Sequence, residues 1–309
     1  MIRIFSIAFL LLVVFSSTAQ QITQYSQWSY NQFATNPALA GIKNCLDMRS
    51  SYRMQWAGFD GAPKSGLITI NTPLKKKQKE LNSSFHGMGL KVEQDQWGNF
   101  ENLAISLAYA MHFPIDPKRR ISFGLAAGVQ QFGFDKTKVT TIDADPAIAQ
   151  STSNFLLPLI GAGAWYHTEN WYAGISADQL ARNRWVETGY DARFRIHTRL
   201  VGGTRFELDE TFTLLPVAMI RIPPAGPLSM DLNLHLSINS IVTVGLGYRN
   251  TDGILGFFRL RFRKLTVGYS MDYITSSLQG GHRNTHEVSL MFNGCYSKQR
   301  GTASCPLFE

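Results

Sequence analysis

From Met230 to Asn239 the chain reads M-D-L-N-L-H-L-S-I-N, with apolar and polar residues in strict alternation. Successive side chains of a β-strand point to opposite faces, so this stretch has one greasy face and one wet face. The pattern recurs along nearly the whole chain. Leu103, Ile105, Leu107, Tyr109, Met111 and Phe113 alternate with Ala104, Ser106, Ala108, Ala110 and His112. Phe194, Ile196, Thr198 and Leu200 alternate with Arg193, Arg195, His197 and Arg199. Three further stretches, starting at Val242, Leu265 and Val288, do the same. Weaker stretches lie near 46–56, 64–72, 84–97, 119–133, 156–167, 170–180, 209–222 and 253–263, for about fourteen strands in all. Turn residues separate them, as at Trp97-Gly98-Asn99, Pro114 to Pro117, Pro223 to Gly226 and Asn250 to Gly253.

The first residues bear on the compartment. Arg3 supplies a positive start, Phe5 to Phe15 is apolar, and Ser17-Thr18-Ala19 offers the small residues of a cleavage site. Residues 1–19 therefore read as a secretory signal peptide. No later apolar run is long enough for a membrane helix. The mean hydropathy is nevertheless −0.09, a value that a transmembrane barrel reaches because half of each strand faces the lumen.

A soluble β-sandwich would show the same alternation. Two features favour the membrane. The wet face is small and glycine-rich on several strands and arginine-rich on others, which suits an enclosed lumen. Aromatic residues (Trp56, Trp97, Trp165, Trp171, Trp185, Tyr248) stand near strand ends, where interfacial girdles form. The expected architecture is all-β, a single transmembrane antiparallel β-barrel over 45–293 in the outer membrane, in contact with its lipids. Residues 20–44 precede it as an extended N-terminal periplasmic segment, and 294–309 follow as a tail. The aromatics Tyr25, Trp28, Tyr30 and Phe33 need burial, so that segment is expected to pack beneath the barrel or into its lumen.

The charge pattern points to the bore. The chain carries +8 formally, and an exported protein rarely meets nucleic acid, so a positive lumen or rim is the better reading and no nucleic-acid partner is expected. Arg193, Arg195, His197 and Arg199 share one wet face; Arg259, Arg261 and Arg263 share another; Asp178, Asp231, Asp272 and Glu287 lie on others. Buried charges are costly unless paired, which predicts cross-lumen ion pairs that occlude the bore. The alternative is a porin with an arginine-lined anion pathway.

No catalytic motif stands out. His282 and His286 have no third ligand nearby, and neither H-E-x-x-H nor C-x-x-C occurs. Gly174-Ile175-Ser176-Ala177-Asp178 lacks the second glycine of a nucleophile elbow. No enzyme, metal or cofactor is expected. Cys45 and Cys295 flank the first and last strands and could meet at the seam; Cys295 with Cys305 is the rival pairing.

Beyond these patterns, Gln20-Gln21, Tyr25-Ser26-Gln27, Asn31 and Asn36-Pro37-Ala38-Leu39-Ala40-Gly41 form an ordered signature. Tyr52-Arg53-Met54-Gln55-Trp56-Ala57-Gly58 and Val267-Gly268-Tyr269-Ser270-Met271-Asp272 continue it. In these residues the chain resembles the PorP/SprF family of the type IX secretion system. The resemblance implies a non-enzymatic outer-membrane barrel serving secretion or gliding. It also implies periplasmic ring lipoproteins, or a large secreted adhesin, as partners. The signature positions Tyr25, Gln27, Asn31, Asn36, Pro37, Gly41, Arg53 and Trp56 are then the candidate partner-binding residues.

Overall fold

The computed structural model describes residues 22–43, 45–74, 83–135, 154–182, 184–185, 192–193, 195–224, 226–250, 252–275 and 284–294. Residues 1–19 and the tail beyond Gly294 fall outside them. Fourteen antiparallel strands make the wall: β1 (Asp47–Met54), β2 (Lys64–Pro73), β3 (Phe85–Trp97), β4 (Phe100–Asp116), β5 (Arg119–Phe134), β6 (Asn154–His167) and β7 (Trp171–Asp178). Then come β8 (His197–Thr204), β9 (Phe212–Ile222), β10 (Ser229–Ile238), β11 (Val242–Arg249), β12 (Gly253–Phe262), β13 (Leu265–Ile274) and β14 (Thr285–Asn293). Each strand pairs with its neighbours in sequence. The last returns to the first, with β14 paired to β1 from Asp47↔Asn293 to Met54↔His286. The sheet therefore closes on itself, which satisfies the wall's backbone groups where no water can. Two minor ladders sit beside the wall, Arg184–Trp185 with Ala192–Arg193 and Phe206–Glu207 on β9.

Alternation decides what each face meets. On β1, Asp47, Arg49, Ser51 and Arg53 point inward and are buried, while Met48, Tyr52 and Met54 are exposed outside. Leu107, Leu125, Leu156, Leu246 and Phe262 are each more than 60% exposed. A row of such residues on a water-soluble protein would be a large apolar patch. On a closed barrel it is the lipid contact. Pro114, which has no N–H for the ladder, sits where the β4–β5 register shifts, the place a strand tolerates proline.

Each of the fourteen expected stretches corresponds to one strand. One is displaced: the strand expected over 193–200 is observed over His197–Thr204. Its inward row runs His197, Arg199, Val201 and Gly203, so of the expected set Arg193, Arg195, His197 and Arg199 only the last two lie on this strand. Arg195 stays outside the strand and is exposed to solvent, which avoids burying a run of like charge. The expected aromatic girdle also needs one correction. Trp171 and Tyr248 face outward, but Trp165 is 1% exposed and points into the bore.

The larger departure is the form of the N-terminal segment, which is not extended. It lies inside the barrel, one of the two places that the burial of its aromatics predicts. Residues Ser26–Ser29, Gln32–Ala34 and Pro37–Leu39 form three short 3-10 turns. Asn36 starts the third, its Oδ1 accepting from the Ala38 amide at 2.9 Å with Pro37 in the first turn. Every residue from Tyr25 to Phe33 is buried, as is every residue from Asn36 to Ile42. Six bury apolar side chains, Trp28, Phe33, Ala38, Leu39, Ala40 and Ile42, against inward-facing Ala108, Ala110, Trp165, Val201, Leu215, Val217 and Met219 of the wall.

The connections at the two ends differ. Where β1 begins and β14 ends, they are 74–84, 117–118, 168–170, 205–211, 239–241 and 263–264. The opposite end carries the two longest, 135–153 and 179–196.

Leu246→Arg would place a charge on the lipid face midway along β11. The expected loss is about 2–4 kcal/mol in reversible unfolding from lipid vesicles. Leu246→Ala should lose much less, since it adds no charge to that face.

Candidate functional site

Among the described residues, buried polar groups converge on the contact between the N-terminal segment and the inner wall. Its strongest part lies at the end opposite the termini of the wall, across the β1–β14 seam. The Ser26 amide donates to Glu287 Oε2 at 2.6 Å, and its hydroxyl donates to Asp272 Oδ2 at 2.7 Å. Arg53 donates to the same Asp272 oxygen at 2.8 Å, also bonds the Ser26 hydroxyl, and lies 3.6 Å from Glu287. Gln27 extends the contact, donating to the Glu287 carbonyl at 3.2 Å and accepting from Ser289 Oγ at 2.7 Å. Three strands and the segment thus share one charged cluster, all of it out of water.

Next to it, Asp231 is gripped from two sides. Arg249 bonds both its oxygens at 2.8 and 3.0 Å, and Arg221 does so at 2.9 and 2.8 Å. Such forked guanidinium–carboxylate bonds are the strong kind, and they fix geometry as well as charge. Arg249 also reaches Asp252 at 3.0 Å and the Tyr25 carbonyl at 3.4 Å.

Deeper in the bore the segment is held by single contacts from many strands. His235 meets Ser29 through Nε2 at 3.2 Å and Tyr30 through Nδ1 at 2.8 Å. The Arg259 guanidinium lies 3.5 Å from the centre of the Tyr30 ring, a cation–π contact in a dry site. Thr69 donates to Asn31 at 3.1 Å, and Gln32 donates to the Tyr172 hydroxyl at 2.5 Å. Asn36 donates to the carbonyls of Ala164 and Ile175, each at 3.1 Å. The Thr35 carbonyl accepts from Ser176 at 2.7 Å and Arg199 at 2.9 Å, and Arg199 is also paired with Asp178 at 2.5 Å. His112 bonds the Ala40 carbonyl at 2.9 Å, and the Gly41 amide donates to Asn71 at 3.1 Å.

The wall makes room for this path with glycine. A side chain at Gly124 would collide with the Pro37–Ala38 backbone, and one at Gly163 with the Asn36 amide. Two small voids adjoin the segment. One of about 20 Å³ lies beside Tyr30, Phe33 and Arg49, and one of about 30 Å³ beside Trp28, Asn31 and Glu93. Each has room for one or two waters.

Of the signature residues, Tyr25, Gln27, Asn31, Asn36, Pro37, Gly41 and Arg53 all engage the chain's own lumen. Trp56 sits at the rim, half-buried, its amide on Thr285 Oγ1 at 3.2 Å. Of the charged residues, Asp231, Asp272, Glu287, Arg199 and Arg259 are in the buried network, Arg261 is half-buried, and Arg195 is outside it. The side chain of Arg193 lies outside the described residues. Among the described residues these pairs run along the wall: Arg53 of β1 meets Asp272 of β13, and Arg199 meets Asp178 on the neighbouring strand. Arg249 and Asp231 are register partners on neighbouring strands, as are Arg53 and Glu287. The segment, and not a bridge of ion pairs, is what fills the lumen. Arg249 continues the wet row Thr243, Gly245, Gly247, whereas nothing in the sequence pattern marks Arg221. Cys45 is disulfide-bonded, while Cys295 and Cys305 lie outside the described residues. His286 faces outward on Tyr269 at 2.8 Å, and His282 is outside the described residues. Among the described residues no group of three His, Cys, Asp or Glu could hold a metal ion.

Two substitutions test this packing. Asp231→Ala leaves two buried arginines without their shared carboxylate and should destabilise the barrel by about 3–5 kcal/mol in equilibrium unfolding. Gly124→Leu should expel the segment while leaving the wall intact. Limited proteolysis should then cut within residues 22–43, which stay protected in the parent chain.

Three solved structures are similar to this chain at low identity. Outer membrane protein Omp33 of Acinetobacter baumannii is 9% identical, with 82% of this chain and 99% of that one covered and a TM-score of 0.46. A FadL homologue of Pseudomonas aeruginosa is 10% identical, with coverages of 89% and 95% and a TM-score of 0.47. The ferric enterobactin receptor PfeA of Pseudomonas aeruginosa is 10% identical at a TM-score of 0.36; 74% of this chain matches 44% of that receptor, so this chain spans less than half its length. No curated protein matches this chain. The family described as type IX secretion system membrane protein PorP/SprF matches residues 17–292. The wall found here, closed and apolar outside, is that of an outer-membrane barrel, and the chain belongs to the PorP/SprF family of type IX secretion system membrane proteins.

Proposed function

We propose that this protein is a non-enzymatic scaffold of the type IX apparatus, working through contacts at the ends of a sealed barrel. It anchors the periplasmic ring at the outer membrane, or it assists export and surface attachment of a large adhesin. The observation that carries this reading is the filled bore. Residues 25–42 occupy it and are bonded to most of the strands around it. A barrel so filled offers no wide path for a solute, which leaves binding as its task. An anion pathway would need its arginines to face water. Arg199 and Arg259 instead hold Thr35 and Tyr30 of the segment.

The ring partners expected from the family are periplasmic lipoproteins, and the membrane partner is the outer-membrane lipid around the apolar wall. Affinity purification from outer membranes tests this directly. Ring lipoproteins should come down with the intact chain. A chain lacking residues 22–42 should still reach the membrane yet recover them poorly. Loss of one surface adhesin on gene deletion, with other secretion intact, would favour the adhesin role. Recovery of neither class of partner would reject the scaffold reading.

A further inference from the structure

The direction in which the segment runs is the feature that the scaffold reading leaves unused. Its first described residues lie at the end of the barrel opposite the start of β1. The Thr23 hydroxyl donates to Asp95 at 3.1 Å, near the end of β3, and Asp95 accepts from Ser65, at the start of β2. Ser26 and Tyr25 meet Glu287, Asp272, Arg53 and Arg249, all within two residues of their strand ends on that same side. The segment then descends past His235 and Thr69. It leaves at the other end, where Ala40 meets His112, Gly41 meets Asn71, and Lys43 pairs with Asp47 at 3.5 Å.

Outer-membrane barrels keep short turns on the periplasmic side and longer loops outside. The two longest connections here, 135–153 and 179–196, stand at the end where Thr23 lies. The turns at 117–118, 239–241 and 263–264 stand at the end where Lys43 lies. We propose that residues 22–43 run through the bore from the cell-surface mouth inward, so that the start of the mature chain is presented outside the cell.

Two consequences follow from chain connectivity. The segment enters from one side and leaves from the other, so the wall has to close around it. The groups that grip Ser26 come from β1, β13 and β14, the strands on either side of the seam. Ser26 thereby bridges the two sides of the seam. In addition, Ile22 and Thr23 are out of reach of a periplasmic ring and within reach of a protein arriving at the surface.

A short epitope inserted between Gln21 and Ile22, and the same epitope inserted after Glu210 in the 205–211 connection, test the direction. Antibody should bind the first on intact cells, and the second only after the outer membrane is permeabilised. Binding of the first only after permeabilisation, or of the second on intact cells, overturns the proposal. A second pair of variants covers failure of the tagged chain to fold. Asp60→Cys, in the connection at the Thr23 end, should react with a membrane-impermeant maleimide on intact cells, read against the parent chain. Thr23→Cys with Asp95→Cys should cross-link in the same membranes. Silence of the first or absence of the cross-link contradicts the inferred path.

Discussion

The amide and hydroxyl of Ser26 sit on the carboxylates of Glu287 and Asp272, and Arg53 holds both acids from the wall. Much else depends on that cluster. A barrel in lipid must pair every backbone group, which it does by closing β14 onto β1. Closure encloses the inward rows, including acids and arginines that no bulk water can reach. Each buried charge then needs a partner inside, because leaving one unpaired is expensive. Neighbouring strands supply some partners, as with Arg249 and Asp231. The N-terminal segment supplies others and fills the space between them.

Polar and apolar packing divide the labour along the segment. Towards Ser26 the contacts are ionic and come from strands flanking the seam. Towards Leu39 and Ile42 apolar burial joins the hydrogen bonds at Ala40 and Gly41. Charged contacts set position, since forked and short bonds tolerate little displacement. Apolar burial adds binding strength, about 1.5–3 kcal/mol for each fully buried large side chain before the loss of chain freedom is counted. Glycines at the closest approaches let the two backbones meet. A segment fixed in both ways is part of the barrel's interior and not a lid over it.

The wall was legible because lipid writes a simple rule on it. Every strand has one face in hydrocarbon, so apolar residues recur at every second position and the count of strands follows. The segment obeys no such rule. Its 3-10 turns have no repeat long enough to read, and only its buried aromatics hinted that it needed cover. Trp165 shows a related limit. As an aromatic near a strand end it suggested a girdle, yet it shares its parity with Gly161, Gly163 and His167 on the inward row. The pairing of charges was hidden for another reason: the wet face marks which residues are enclosed, but only strand register reveals that Asp231 lies beside Arg249. Arg53 illustrates both sides, since the family signature marked it and only the fold shows that it meets Asp272.

Electrical conductance tests the central claim, that the chain seals its own bore, more directly than any other measurement. Purified full-length protein inserted in a planar bilayer should carry no steady current, whereas the chain lacking residues 22–42 should open a persistent one. A large, steady current through the intact chain, unchanged by removing those residues, would contradict the account.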